Sequence, residues 1–120
     1  MNLALVHLAA GDLPSALPHI RAHTTAAVTN RLSREANDAL LLLAQLANAE
    51  GDDELARRLV PEIRQSRSWN TIALTHRLAD ALGVRSELDA ASAELPDRNE
   101  MGRRALASLR SELDRRGWLD

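Results

Sequence analysis

Three of the chain's four histidines, His7, His19 and His23, fall near its start, and the last two stand four residues apart. On a helix that spacing puts both imidazoles on one face. His7 on a neighbouring helix would bring a third nitrogen, and three imidazoles hold zinc with one position open. Against this, no Asp or Glu stands beside them in the same turn to orient a ligating ring. Two solvated or half-buried histidines are the commoner outcome of such a pattern, so no metal ligand set is assigned and no cofactor is expected. His76 and Asp80, one turn apart, have the composition of an acid–base pair, but that spacing more often makes a local ion pair. No Gly-rich phosphate loop, nucleophile elbow or paired-carboxylate motif occurs, so no enzyme activity is expected.

The segment from Arg77 to Leu88 has the outline of a helix-turn-helix, with Ala79 followed by Gly83. The apolar residue that should follow the glycine by six is Asp89, and the second helix carries Glu87, Asp89 and Glu94 against Arg85 alone. Phosphates would repel it. Arg103, Arg104, Arg110, Arg115 and Arg116 cluster near the C-terminus, but Glu100, Glu112 and Asp114 are interleaved with them and make a solvated, ion-paired face. With 15 basic and 17 acidic residues the chain carries a formal charge of -2 and lacks the positive field of a nucleic-acid binder.

These side chains must be positioned by helices. The first helix is read from about Asn2 to Ala10, with Leu3, Val6, His7 and Ala10 on one apolar face. Gly11 ends it, and Asp12 or Leu13 opens a second helix with Pro14 in its first turn, where a missing N–H costs nothing. Pro18 is expected to kink that helix or delay its start. It carries Ala16, Leu17, Ile20 and Val28 and fades by Asn30. Ser33 is placed as the cap of a third helix, Arg34 to Glu50. Leu40 to Leu43 make its centre apolar all round, which puts it in the middle of the structure.

Gly51 then breaks the chain, and Asp52 caps a fourth helix with Leu55, Leu59 and Ile63 inward and a kink or break at Pro61. A fifth helix runs from about Asn70 to Leu82, a sixth from Ser86 to Leu95, and Pro96 with Asp97 ends that unit. The last, Arg98 to Arg116, sets Met101, Ala105, Leu109 and Leu113 on one side, with Arg103, Arg104, Arg110 and Glu112 largely elsewhere. It reads as a lid that ends a stack in water.

The chain has 120 residues, no Cys, no Lys, no Phe and no Tyr. That length suits a single domain with a modest core built without disulfides. Small and branched side chains must then fit the helices closely, because no large rings fill gaps. The longest apolar run, Ala39 to Ala44, is too short to cross a bilayer, and no basic segment precedes an apolar stretch of the signal-peptide type. The expected location is cytoplasmic.

Two stretches rhyme. Leu8, Gly11, Asp12 and Ala16 are matched in order by Leu46, Gly51, Asp52 and Ala56, each a Gly-Asp break followed by an Ala five residues beyond the Gly. Gly11, Gly51 and Gly83 are separated by 40 and 32 residues, bracketing a tetratricopeptide period of about 34. Ala4 with Ala16, and Ala44 with Ala56, hold the small positions at which helices of that family approach. Both units therefore resemble tetratricopeptide repeats. The third departs from the pattern, with His76 and Leu88 at the small positions, and the family's aromatic positions hold His7, Ala47 and Ala79.

The run around Leu40 to Leu59 is also similar to the repeat regions at the C-terminal ends of large bacterial regulators of the LuxR and antibiotic-pathway types. The resemblance implies an all-α stack of antiparallel helix hairpins, a solenoid of about seven helices. Its units would be residues 1–32, 33–67 and 68–96, closed by a capping helix over 97–117.

In that family the partner lies in an inner groove lined by the first helix of each hairpin. Carried over by position from the glycine breaks, the groove residues are Asp38, Gln45 and Asn48 in the second unit and Asn70, Arg77 and Asp80 in the third. A stripe of amides and mixed charges suits hydrogen bonding to an extended segment or a helix end. The function so implied is a protein-interaction module, the regulatory or assembly part of a bacterial transcriptional regulator, with a protein or peptide partner and neither nucleic acid nor membrane bound directly. Two other classes stay open: a small-ligand or metal sensor with a pocket near His7, His19 and His23, and a structural self-association domain. The first helix begins almost at Met1 with its leading face uncovered, which suggests either a piece of a longer protein or a surface covered by a second copy in a homodimer.

Overall fold

The computed structural model describes residues 2–32, 35–63, 69–93 and 98–119, with the side chains of residues 2, 69–71, 98 and 99 outside that set. Ser33, expected to cap the third helix, and the Pro96–Asp97 stop lie outside the described residues. Every regular element described is helical, and no strand occurs among the described residues. The order is α1 Asn2–Ala9, α2 Leu13–Thr29, α3 Ala36–Ala49, α4 Asp53–Leu59, a 3₁₀ turn Val60–Glu62, α5 Trp69–Leu82, α6 Arg85–Ala93 and α7 Arg98–Arg115.

The reversals between α1 and α2 and between α3 and α4 are copies of one another. Asp12 N–H donates to His7 O at 2.8 Å while the Asp12 carboxylate accepts from Ser15 N–H at 3.2 Å. Asp52 does the same with Ala47 O at 2.8 Å and Leu55 N–H at 3.2 Å. One residue thus closes the helix before it and caps the one after, satisfying backbone groups that both ends leave open. The reversal between α5 and α6 closes α5 through Val84 N–H on Ala79 O at 2.9 Å, but valine has no side-chain oxygen with which to cap α6.

Pro14 sits in the first turn of α2, and the helix runs unbroken through Pro18, so no delayed start occurs. At Pro61, which has no N–H to give, the α-ladder of α4 tightens into the 3₁₀ turn.

α3 is the hub of the packing: it contacts α1, α2, α4, α5 and α7 and the 3₁₀ turn, α1 lies mainly on α2, and α6 lies on the 3₁₀ turn and α5. Leu40, Leu41, Leu42 and Leu43 are all fully buried, as an all-round apolar helix requires. Ala4, Ala16, Ala44 and Ala56 are buried as well, in a core with no room to spare for larger side chains.

Three expectations fail. The Leu3, Val6, His7 and Ala10 face of α1 does not point inward: Leu3 and Val6 are 60% and 61% exposed, and the buried side carries Ala4, with Leu5 and Leu8 against the core. α1 is apolar nearly all round, so its periodicity could not choose a side. Leu17, expected inside, is exposed too.

The last helix, α7, does bury Met101, Ala105, Leu109 and Leu113. Its main packing, however, is with α3 and α2 rather than beyond α5 and α6, and Glu112, placed on its wet side by the sequence, is buried. The Glu112 carboxylate reaches Arg58 of α4 and, at 3.1 Å, Arg115. Arg116 reaches Glu50 at 3.0 Å, and the guanidinium groups of Arg21 and Arg116 both lie over the Trp118 ring, 5.9 and 5.3 Å from its centroid. The chain end is thereby tied back onto α2, α3 and α4.

Candidate partner-binding surface

From Ala36 to Ala47 every residue of α3 is buried except Asp38 and Gln45, which are half-buried, and the exposed Asn48 follows at the helix end. Seven residues are two helical turns and three are just under one, so these side chains share a face. The most buried helix of the molecule therefore meets water along one polar strip. α7 packs on α3 and α2 and reaches α4 and α2 through Glu112 and Trp118.

α5 packs against α3 and presents Arg77 and Asp80, both exposed, between the buried Thr75, Leu78, Ala79 and Leu82. Asn70 lies in the first turn of α5, and its side chain is outside the described residues. Arg77 makes no ion pair among the described residues. Asp80 is engaged: Arg85 donates to its carboxylate at 3.3 Å and to Asp89 at 3.2 Å. The Asp89 hydrogen bond, with the charges of both carboxylates, holds the Arg85 guanidinium above its ordinary pKa. Asp80 is thus committed to locking α5 to α6, and Arg77 is the α5 side chain left to reach a partner.

Counting back from the glycines, the positions of Gln45 and Asn48 correspond in the first unit to Leu5 and Leu8, both partly buried on the core. The same helical positions pass from apolar on α1 to amide on α3 to charged on α5, a gradient that spacing alone did not reveal.

The other candidate chemistry is distributed differently. The His7 and His19 rings stack, 5.7 Å between centroids and 9° from parallel, with His7 Nδ1 3.8 Å from Asp12 Oδ2. His23 is half-buried, its Nε2 is enclosed without a hydrogen-bond partner, and burial pushes its pKa below 6.5 against the charges of Glu35 and Asp38. Among the described residues no three His, Asp or Glu side chains form a metal-ligand group. His76 is half-buried, and Asp80 is turned to Arg85. That Arg85 is the lone basic residue of the outlined recognition helix, and it is neutralised by two acids. None of the described helices is long and apolar enough to cross a membrane. No family model, curated protein or solved structure matches this chain.

Proposed function

We propose that the chain is a protein-interaction module of tetratricopeptide-like design, whose partner is an extended segment or helix end lying along α3 and α5. The observation that carries this reading is the polar strip on the one helix that is otherwise buried. A rigid, fully packed helix holds Gln45 and Asn48 in place before a partner arrives, so little ordering cost remains to be met on binding. Amides donate and accept at once, and the neighbouring Arg77 adds a charged donor fork matched to a carboxylate. The likeness to repeat regions of large bacterial regulators makes this partner a component of the regulator's assembly or control.

The test is capture from the native cell with the wild-type chain, followed by titration of the captured protein against Gln45→Ala and Arg77→Glu variants. Each lost hydrogen bond is worth about 0.5–1.5 kcal/mol and one to a charged group about 1.5–3. Gln45→Ala should weaken binding by a few-fold to about tenfold and Arg77→Glu by more than tenfold. Unchanged affinity in both variants, with helical content preserved, moves the binding surface elsewhere.

A further inference from the structure

The first hairpin breaks the pattern set by the other two in a way that points to a missing neighbour. Aligned on Gly11, Gly51 and Gly83, the exposed Leu3 corresponds to Leu43 and Thr75, and the exposed Val6 to Leu46 and Leu78. All four counterparts are buried, at 0%, 4%, 1% and 5% exposure. The same position that is interior in two hairpins is open in the first, where the side chain is nevertheless apolar.

The second helix of the hairpin departs in the same sense. Its exposed Pro14, Leu17 and Pro18 stand where α4 has Glu54, Arg57 and Arg58, also exposed. Water-facing positions that carry charge in the second hairpin carry none in the first. From Asn2 to Ile20 the only Asp, Glu, Lys or Arg is Asp12, whose carboxylate is spent on the α2 cap, in a chain where those four types make up 27% of the residues. Leu3, Val6 and Leu17 are the large apolar side chains exposed among the described residues, and all three belong to this hairpin.

We infer that this edge is a self-association surface, with α1 of one copy packed against α1 of a second across a two-fold axis near Val6. The charge pattern selects that occupant. In a two-fold interface the patch faces itself, so any net charge on it meets its own kind, and this edge, with no Lys, Arg or Glu and its one Asp held at the α2 cap, meets that demand. A partner recognised by complementary charge has nothing to read here. Two large apolar anchors on α1, Leu3 and Val6, make an interface at the small end of the range, below about 1,200 Å² in total, so the dimer dissociates readily.

Sedimentation of the full chain from about 10 µM to about 1 mM, a span suited to an interface of this size, reads the equilibrium directly. The wild type is expected to pass from monomer to dimer. Val6→Glu, which buries a charge against its own copy, should raise the dimer dissociation constant at least about tenfold while leaving helical content unchanged, since Val6 makes little contact inside the monomer. Because the chain has no cysteine, a Val6→Cys chain should form a disulfide-linked dimer on mild oxidation much faster than a Ser86→Cys chain, whose exposed thiol lies on α6. A wild type that stays monomeric at the highest concentration, a Val6→Glu chain that dimerises as well as wild type, or equal cross-linking of the two cysteine variants would each overturn the proposal.

Discussion

Among the described residues, five helix ends close with the same backbone pair of hydrogen bonds, and at four of them the turning residue is glycine. The fifth is Arg31, with φ +52°, where Leu32 N–H still reaches Ala27 O at 2.8 Å. A side chain in the left-handed region costs about 1–2 kcal/mol, partly offset by the freedom glycine regains on unfolding. Arg31→Gly is therefore expected to stabilise the fold by about 0.5 kcal/mol. At Gly51, with φ +84°, an added methyl meets nothing within 4 Å, so Gly51→Ala isolates the backbone term and should cost about 1 kcal/mol. Urea denaturation of the two variants measures both.

His23 supplies a prediction of a different kind. Its folded pKa lies below 6.5, so below that value the unfolded chain binds a proton that the folded chain refuses. Stability then declines as pH falls from 6.5 towards the folded pKa, and below both values His23 adds no further loss. A urea midpoint followed from about pH 8 to about pH 5 should decline for the wild type, and the decline should be shallower in His23→Leu.

α3 and α1 make opposite use of apolar sequence. Leu42 is enclosed on α3, and Leu42→Ala should cost about 2–5 kcal/mol in denaturant titration. Leu3→Ala on α1 should cost below about 0.5 kcal/mol in the monomer, because the side chain is 60% exposed. The helices themselves were legible from residues: Gly-Asp breaks, Pro14 in a first turn and Pro61 at an ending all act locally. The polar strip was legible too, since Asp38, Gln45 and Asn48 interrupt an apolar run at helical spacing.

What escaped the sequence was which neighbour covers which face. A helix that is apolar all round, such as α1, offers no preferred side, and the burial of Glu112 depends on α7 coming to rest beside Arg58, far away in sequence. The commitment of Asp80 to Arg85 was hidden for the same reason, since it depends on the angle at which α6 leaves the Gly83 turn.

At the scale of the molecule, the return of α7 decides how the parts depend on one another. A linear stack lets its last helix leave with little effect on the first units, because each repeat touches only its neighbours. Here α7 lies on α3 and α2, and the Cα radius of gyration is 13.1 Å, close to the roughly 13.6 Å of a compact domain of this length. Leu109 and Leu113 are fully buried and Met101 nearly so. At about 1.5–3 kcal/mol for each such side chain, their loss approaches the whole stability of a typical domain, about 5–15 kcal/mol. Deleting residues 98–120 is therefore expected to unfold α2 and α3 with α7, seen as a collapse of the far-ultraviolet helical signal and of its cooperative thermal transition. Leu113→Ala gives the graded version: one transition, lowered as a whole, with the fluorescence of the two tryptophans and the helical signal changing together. A truncated chain that kept its remaining helices and melted cooperatively would mean that α7 covers the stack without holding it, and the linear repeat would be the better description of how this protein stands.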